Sequence, residues 1–433
     1  MTRPSLNRAL LKLYGEPLPS IEVIKLRGDA STRSYFRVRV PDRRPASVIA
    51  MQLPENTFQS DEGGEQPDSQ RLPFLEVAEL LESKGLPVPT IYVEDLENRI
   101  ILLEDLGDVT FEQGLRDAPR ADWPRLYENA IDLLADLHER CAELPSTSIV
   151  SQRSFDRKLL DWELDHFRKW GLEALSGPLD ATQTGTLREA FAGIVRDIEA
   201  MPYGFVHRDY QSKNLMVGPK GALTLIDFQD ALIGPRAYDL VALLCDSYVS
   251  LDLGLQESMI DRYAALRRVD PEALRQEFWR VALHRKLKDA GRFIYIDRVR
   301  KNPDFLQWYP QSLVYVGRAT TQIPGLEALE RLLTDTIPGF PDAVAKPASA
   351  GEAGHHHVLS PLPLSDIQHP RFHPPTAVLR SGFVAGSHRS GRLGLRLHEN
   401  PPPGTGRRGD PLARCGARGC SRLHVRPAFC RRL

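Results

Sequence analysis

Cysteine is scarce in this chain of 433 residues: there are 5, and only Cys141 and Cys245 come before residue 340. Two such thiols exclude a disulfide framework as the source of stability. Long apolar runs are missing as well. None approaches the roughly 18 residues that a membrane-crossing helix needs. The N-terminus, MTRPSLNRALLKLYGEP, lacks the continuous apolar core of a secretory leader; its Leu6, Leu10, Leu11 and Leu13 read as a short amphipathic helix. The expectation is a soluble, cytoplasmic protein that engages no membrane. Net charge is also nearly absent, at −1. That total hides an asymmetry: residues 1–340 carry about ten more acidic than basic side chains, the remainder about nine more basic than acidic. No nucleic-acid partner is expected.

What is present is an ordinary globular composition, 42% hydrophobic and 26% charged, long enough for two or three domains and a large core. The chemistry concentrates between Gly204 and Tyr248. There, His207-Arg208-Asp209 is followed five residues after the aspartate by Asn214, and Asp227 closes the apolar run Leu223-Thr224-Leu225-Ile226. A lone strand-ending aspartate is usually a turn or cap residue. The full order is more restrictive: apolar strand, His-Arg-Asp, Asn, short hairpin, apolar strand, Asp-Phe. It supplies the parts of a phosphoryl transfer, in which the protein mainly positions groups and supplies charge. Asp209 is the candidate base for an acceptor hydroxyl; Asn214 and Asp227 are candidate ligands for the Mg²⁺ that accompanies ATP.

This segment resembles the catalytic and metal loops of the aminoglycoside phosphotransferase-like kinases, relatives of the protein kinases. The metal loop reads Ile226-Asp227-Phe228-Gln229-Asp230, without the glycine of the protein-kinase DFG, which suits this branch. The resemblance implies an α+β, two-lobed protein-kinase-like fold, with a small β-rich N-lobe and a larger, mostly helical C-lobe. The expected division is 1–106 for the nucleotide side, 107–342 for the catalytic and acceptor side, and 343–433 for a tail outside both. It also implies that Asp239 lies beneath the catalytic loop and holds its backbone.

Several strands are legible before residue 106. Ile21 to Leu26 is one; Tyr35 to Val40 alternates Phe36, Val38 and Val40 with Arg37 and Arg39, as a strand with one wet face should. The intervening Gly28-Asp29-Ala30-Ser31-Thr32-Arg33 is either an ordinary hairpin turn or a loop over ATP phosphates. In the second case Gly28, Ser31 and Arg33 are the donors. A phosphate-pairing lysine is missing from the next strand, Ser47 to Leu53, where Met51 or Gln52 stands instead. GDASTRSYFRV followed by a lysine-less strand is similar to the cytoplasmic kinases that phosphorylate the anomeric hydroxyl of N-acetylmuramate and N-acetylglucosamine in cell-wall recycling. Residues 55–70 read as a mobile loop, Phe74 to Lys84 as a helix, and 88–93 and 99–103 as a strand pair. By position in a kinase of this shape, Glu104 and Leu106 lie in the hinge that reads adenine.

Beyond Gly107 the pattern is helical: Trp123 to Cys141, Phe155 to Trp170, Thr186 to Ala200, Pro271 to Asp297 and Gly325 to Thr334. His138 reads as a buried core histidine. Asp230, Asp246 and Tyr248 are near enough in sequence to face an acceptor sugar. The basic run His284 to Lys288 is by itself a solvated helix face. In the resembled sugar kinases a similar Arg-x-Leu-Lys-x-x-Gly-x-Phe stretch occurs, which makes Arg285 and Lys288 acceptor-side candidates. From about Ala343, Pro, Gly, Ser, Arg and His dominate and periodicity disappears, so the tail reads as disordered or as a non-native extension. His355 to His357 and Cys415, Cys420 and Cys430 lack metal-site spacing. The expected protein is a monomeric kinase acting on a small amino sugar. Its rivals are an antibiotic-modifying aminoglycoside phosphotransferase and a catalytically dead nucleotide-binding module.

Overall fold

Period-2 burial organises the N-terminal part. In the computed structural model, which describes residues 2–18, 20–26, 33–54 and 71–340, five strands form one antiparallel sheet. They are β1 (Glu22–Lys25), β2 (Ser34–Arg39), β3 (Ser47–Gln52), β4 (Ile91–Asp95) and β5 (Ile100–Glu104), in the order β1-β2-β3-β5-β4. Along β5, Ile100 and Leu102 share a core with Leu6, Ala9 and Leu10 of the Arg3–Tyr14 helix. The alternate residues, Ile101 and Leu103, join the main core with Leu75 and Leu81 of the Pro73–Ser83 helix. Alternate residues of one strand thus serve two cores, as the pleat requires. The leading helix has a physical start and stop: the Thr2 hydroxyl accepts from the Ser5 N–H, and Gly15 ends it in the left-handed region.

Arg37 departs from the expected wet face. It is only 8% exposed. Its partner is the segment leaving β5: Nε and Nη2 donate to the Asp105 carboxylate at 2.8 and 3.0 Å, and Nη2 also reaches the Gly107 carbonyl. Alternation identified the strand, but a buried ion pair occupies a position that alternation assigns to water. Met51 is fully buried, and the Gln52 side chain donates to the Leu53 and Arg99 carbonyls, so neither offers a cation. Gly28, Ser31, the 55–70 stretch and the tail from 343 lie outside the described residues.

After residue 107 the chain is mostly helical. Two short strand pairs carry the site: β6 (Tyr203–Val206) pairs with β9 (Leu232–Pro235), and β7 (Leu215–Val217) with β8 (Leu223–Leu225). The Pro271–Arg300 helix packs against the Arg157–Phe167, Leu253–Arg267 and Tyr309–Gln322 helices. It is buried on most sides, and His284, Arg285 and Lys286 are each at most 1% exposed. The expectation of a solvated basic face is therefore corrected; charges stay on a buried helix here because partners meet them. The second expected helix ends at Phe167 and continues as a wider π turn over Arg168–Glu173. Cys141 and Cys245 are free and buried, and burial pushes both thiols up to about 12. Among the described residues, no helix is long and apolar enough to cross a membrane.

Candidate active site

The bend that presents Asp209 is held from below. β6 ends at Val206, and Arg208 then takes φ 79°, a left-handed conformation costing a non-glycine residue on the order of 1 kcal/mol or more. Asp239, in the first turn of the Tyr238–Leu244 helix, offsets that cost. Its Oδ2 accepts the His207 N–H at 2.6 Å, and its Oδ1 accepts the Arg208 N–H at 2.9 Å. His138 approaches the same carboxylate at 3.2 Å while its other ring nitrogen meets the Tyr263 hydroxyl at 2.7 Å. His138 is thus a core histidine. Burial lowers the pKa of His207 against the opposing pull of Asp239, so His207 serves as a neutral structural side chain.

Asp209 is the exposed point of this buried frame, with 26% of its side chain accessible. Its carbonyl accepts the Asn214 side-chain N–H at 2.9 Å and the Gln211 N–H at 2.8 Å. Because the amide nitrogen of Asn214 is taken, its oxygen, the end that can ligate a cation, is turned away from that bond. Asp227 follows β8 with φ 65°, is exposed, and accepts from the Gln229 side chain on Oδ1. An amide oxygen and a carboxylate oxygen suit Mg²⁺, which takes one or two protein ligands and completes its shell with phosphate and water. Among the described residues there is no cluster of three or more His, Cys, Asp or Glu, and a metal held through phosphates needs none.

The residues expected to face a nucleotide also have defined surroundings. Phe228, next to Asp227, stacks on Phe74 at 5.3 Å, and the Arg33 guanidinium lies 5.8 Å from the Phe74 ring. Burial pushes the Tyr35 hydroxyl up, with Arg33 opposing the shift and Asp227 adding to it, so cation and metal-loop carboxylate flank the same phenol. Glu104 accepts from the Thr90 N–H and hydroxyl at 3.1 and 2.9 Å, which engages its side chain with the sheet. Among the described residues, the Leu106 main chain makes no hydrogen bond to other backbone.

The acceptor-side expectations fare differently. Asp246 is 1% exposed and points inward: it accepts from the Ser212 N–H and hydroxyl and from the Tyr248 N–H. It braces the loop from within and is no open sugar ligand. Arg285 is likewise internal, donating to the Arg208 carbonyl at 2.8 Å and lying 3.4 Å from Asp209. Lys288, 11% exposed, is 3.5 Å from Asp289. Burial works against its charge, but the negative groups around it hold its pKa above the ordinary lysine range. These two cations therefore face groups of the protein, and the basic run says little about the charge of an acceptor. Asp230 is half-buried and accepts from Gln229 at 3.2 Å. Sequence reading passed over Arg37, Arg153 (which donates to the Gln229 carbonyl at 2.9 Å) and Lys213. Only Lys213 carried a signal, as a cation inside the loop between Asp209 and Asn214.

The chain is similar in sequence to known proteins. The model of the phosphotransferase enzyme family matches residues 22–276. An N-acetylmuramate/N-acetylglucosamine kinase of Pseudomonas aeruginosa is 31% identical over 336 residues, covering 75% of this chain and 91% of that protein. A protein of the same name from Neisseria meningitidis serogroup B is 28% identical over 322 residues, covering 71% of this chain and 89% of the relative. Among solved structures, a GDP complex of wild-type aminoglycoside 2'-phosphotransferase-IIIa superposes with a TM-score of 0.49 at 14% identity, covering 74% of this chain and 99% of that one.

Proposed function

The chain belongs to the phosphotransferase enzyme family, and on that premise we propose that it transfers the γ-phosphoryl group of ATP to the anomeric hydroxyl of N-acetylmuramate, N-acetylglucosamine or both. The observation that carries the reading is the arrangement around Asp209. A partly exposed carboxylate is fixed by buried partners, next to an Asn214 whose amide oxygen is left for a cation. In this reading residues 1–106 hold the nucleotide and 107–342 hold catalysis and acceptor. Arg33 meets the phosphates and the Leu106 main chain reads adenine. Gly28 and Ser31, Glu104 and Asp230 remain assigned to the same two sides.

Asp209 accepts the hydroxyl proton as the new O–P bond forms and the bond to ADP breaks. Asn214 and Asp227 would hold the Mg²⁺ that accompanies ATP, which would supply positive charge to the phosphate oxygens. Asp239, Asp246 and Arg285 keep the base in place by gripping the loop on either side of it. An anomeric hydroxyl is more acidic than a primary one and asks less of its base.

The test is ADP release with a panel of amino sugars and phosphorus NMR of the product. A 1-phosphate coupled to the anomeric proton is expected, with no turnover of the methyl glycoside and retained turnover of the 6-deoxy sugar. A 6-phosphate, or turnover of the methyl glycoside, overturns the anomeric reading. Turnover of aminoglycosides with none of amino sugars overturns the acceptor class.

A further inference from the structure

We propose that Lys213 is the group that anchors the carboxylate of an acidic amino sugar, and so sets the preference between acidic and neutral acceptors. The inference rests on the sugar-kinase reading above and adds a specificity residue to it. Lys213 lies within the catalytic loop, between Asp209 and Asn214, and is half-buried. Its ammonium sits 3.8 Å from the centre of the Tyr248 ring and 5.3 Å from that of Trp308. The two rings meet edge to face at 5.1 Å. Among the described residues, Lys213 makes no hydrogen bond or ion pair with a protein acceptor. Arg285, Lys286 and Lys288, by contrast, all have carboxylate neighbours.

A cation in that setting is positioned without being neutralised. Ring faces attract it and limit its rotamers, yet they leave its three N–H donors without an anion. Ordering a lysine in advance also removes part of the entropic cost of forming a charge-assisted bond to a ligand. Direction argues for the acceptor and against the nucleotide. Tyr248 follows the Tyr238–Leu244 helix and Trp308 follows the Pro271–Arg300 helix, both beyond residue 107, whereas Arg33 precedes β2 and Phe74 lies on the Pro73–Ser83 helix, both on the side that this reading gives to the nucleotide. The loop brings Lys213 close to the base. The Gln211 N–H bonds to the Asp209 carbonyl, and the Asn214 N–H to the Gln211 carbonyl, a turn that keeps the Cα atoms of Gln211 and Asn214 within about 7 Å and holds Lys213 in the loop that carries the base. The proposal places the phosphorylated hydroxyl at Asp209 and the carboxylate of the same sugar at Lys213, four residues along one loop. N-Acetylmuramate carries that carboxylate on its lactyl ether; N-acetylglucosamine lacks it.

The experiment compares kcat/KM for the two sugars in the full chain, as wild type, Lys213→Met and Lys213→Arg. We expect Lys213→Met to lose at least tenfold more on N-acetylmuramate than on N-acetylglucosamine, mainly through KM of the sugar, and Lys213→Arg to recover most of that difference. Equal losses on both sugars, a loss confined to KM for ATP, or no change in the ratio overturns the proposal while leaving the kinase reading intact. A wild-type protein that phosphorylates neither sugar overturns the reading on which it rests.

Discussion

Arg285 grips the backbone just before the candidate base and the base itself. Its Nη1 donates to the Arg208 carbonyl at 2.8 Å, and its Nη2 lies 3.4 Å from Asp209 Oδ1. The guanidinium is fully buried and rests 4.8 Å from the centre of the Tyr238 ring. The two contacts fix where the base sits relative to the loop backbone.

Asp209→Asn should fold normally and bind nucleotide, yet turn over roughly 10²–10⁴-fold more slowly, the usual worth of a positioned base. Asp227→Ala should instead weaken Mg²⁺-dependent nucleotide binding, read by titration calorimetry with and without the metal. Near-full activity in Asp209→Asn means that the base has been assigned to the wrong residue.

Arg285→Met keeps most of the buried volume while removing both donors. It should lower kcat strongly with little change in KM for ATP, and cost about 1–3 kcal/mol of stability in urea denaturation. Arg285→Lys should not restore kcat, because a single ammonium cannot reproduce a fork that spans two neighbouring residues. Full rescue by lysine would reduce the role of Arg285 to charge alone.

Gly291 lies where two helices nearly touch. A Cβ there would come within 2.8 Å of the Phe167 Cα and 3.3 Å of the His166 carbonyl oxygen. Gly291→Ala should therefore destabilise by about 1–3 kcal/mol, although alanine is the better helix former. Because the same helix carries Arg285, kcat should fall along with the melting temperature. A neutral or raised melting temperature would show that the contact relaxes freely.

Asp105 makes the segment leaving β5 acid-sensitive. Burial raises its pKa, but Arg37, the Ser47 hydroxyl and the Gly107 N–H together outweigh burial and leave it below the ordinary carboxylate value. A carboxylate with a lowered folded pKa contributes stability that is complete above its unfolded value, about pH 4. That contribution is lost as pH falls through the folded value. Arg37→Met should thus destabilise more at pH 7 than at pH 2.5. Denaturation curves across that range test the difference, and a pH-independent loss would assign Arg37 to packing.

The sequence alone determined most of the frame. Alternation marked the strand around Val38, an apolar run marked the strand around Ala50, and the Asp209, Asn214 and Asp227 spacing marked the loops, because these signals are local. The buried role of His138 followed from its place on an amphipathic helix. Other roles depended on partners far along the chain. Arg37 looked wet and meets Asp105, 68 residues on; Arg285 looked solvated and meets Asp209, 76 residues back. Asp246 seemed available to a sugar and is occupied by Ser212. A charged side chain reads the same in sequence whether water or a carboxylate faces it. Only the tertiary structure supplied the second group, and with it the sign of the burial energy.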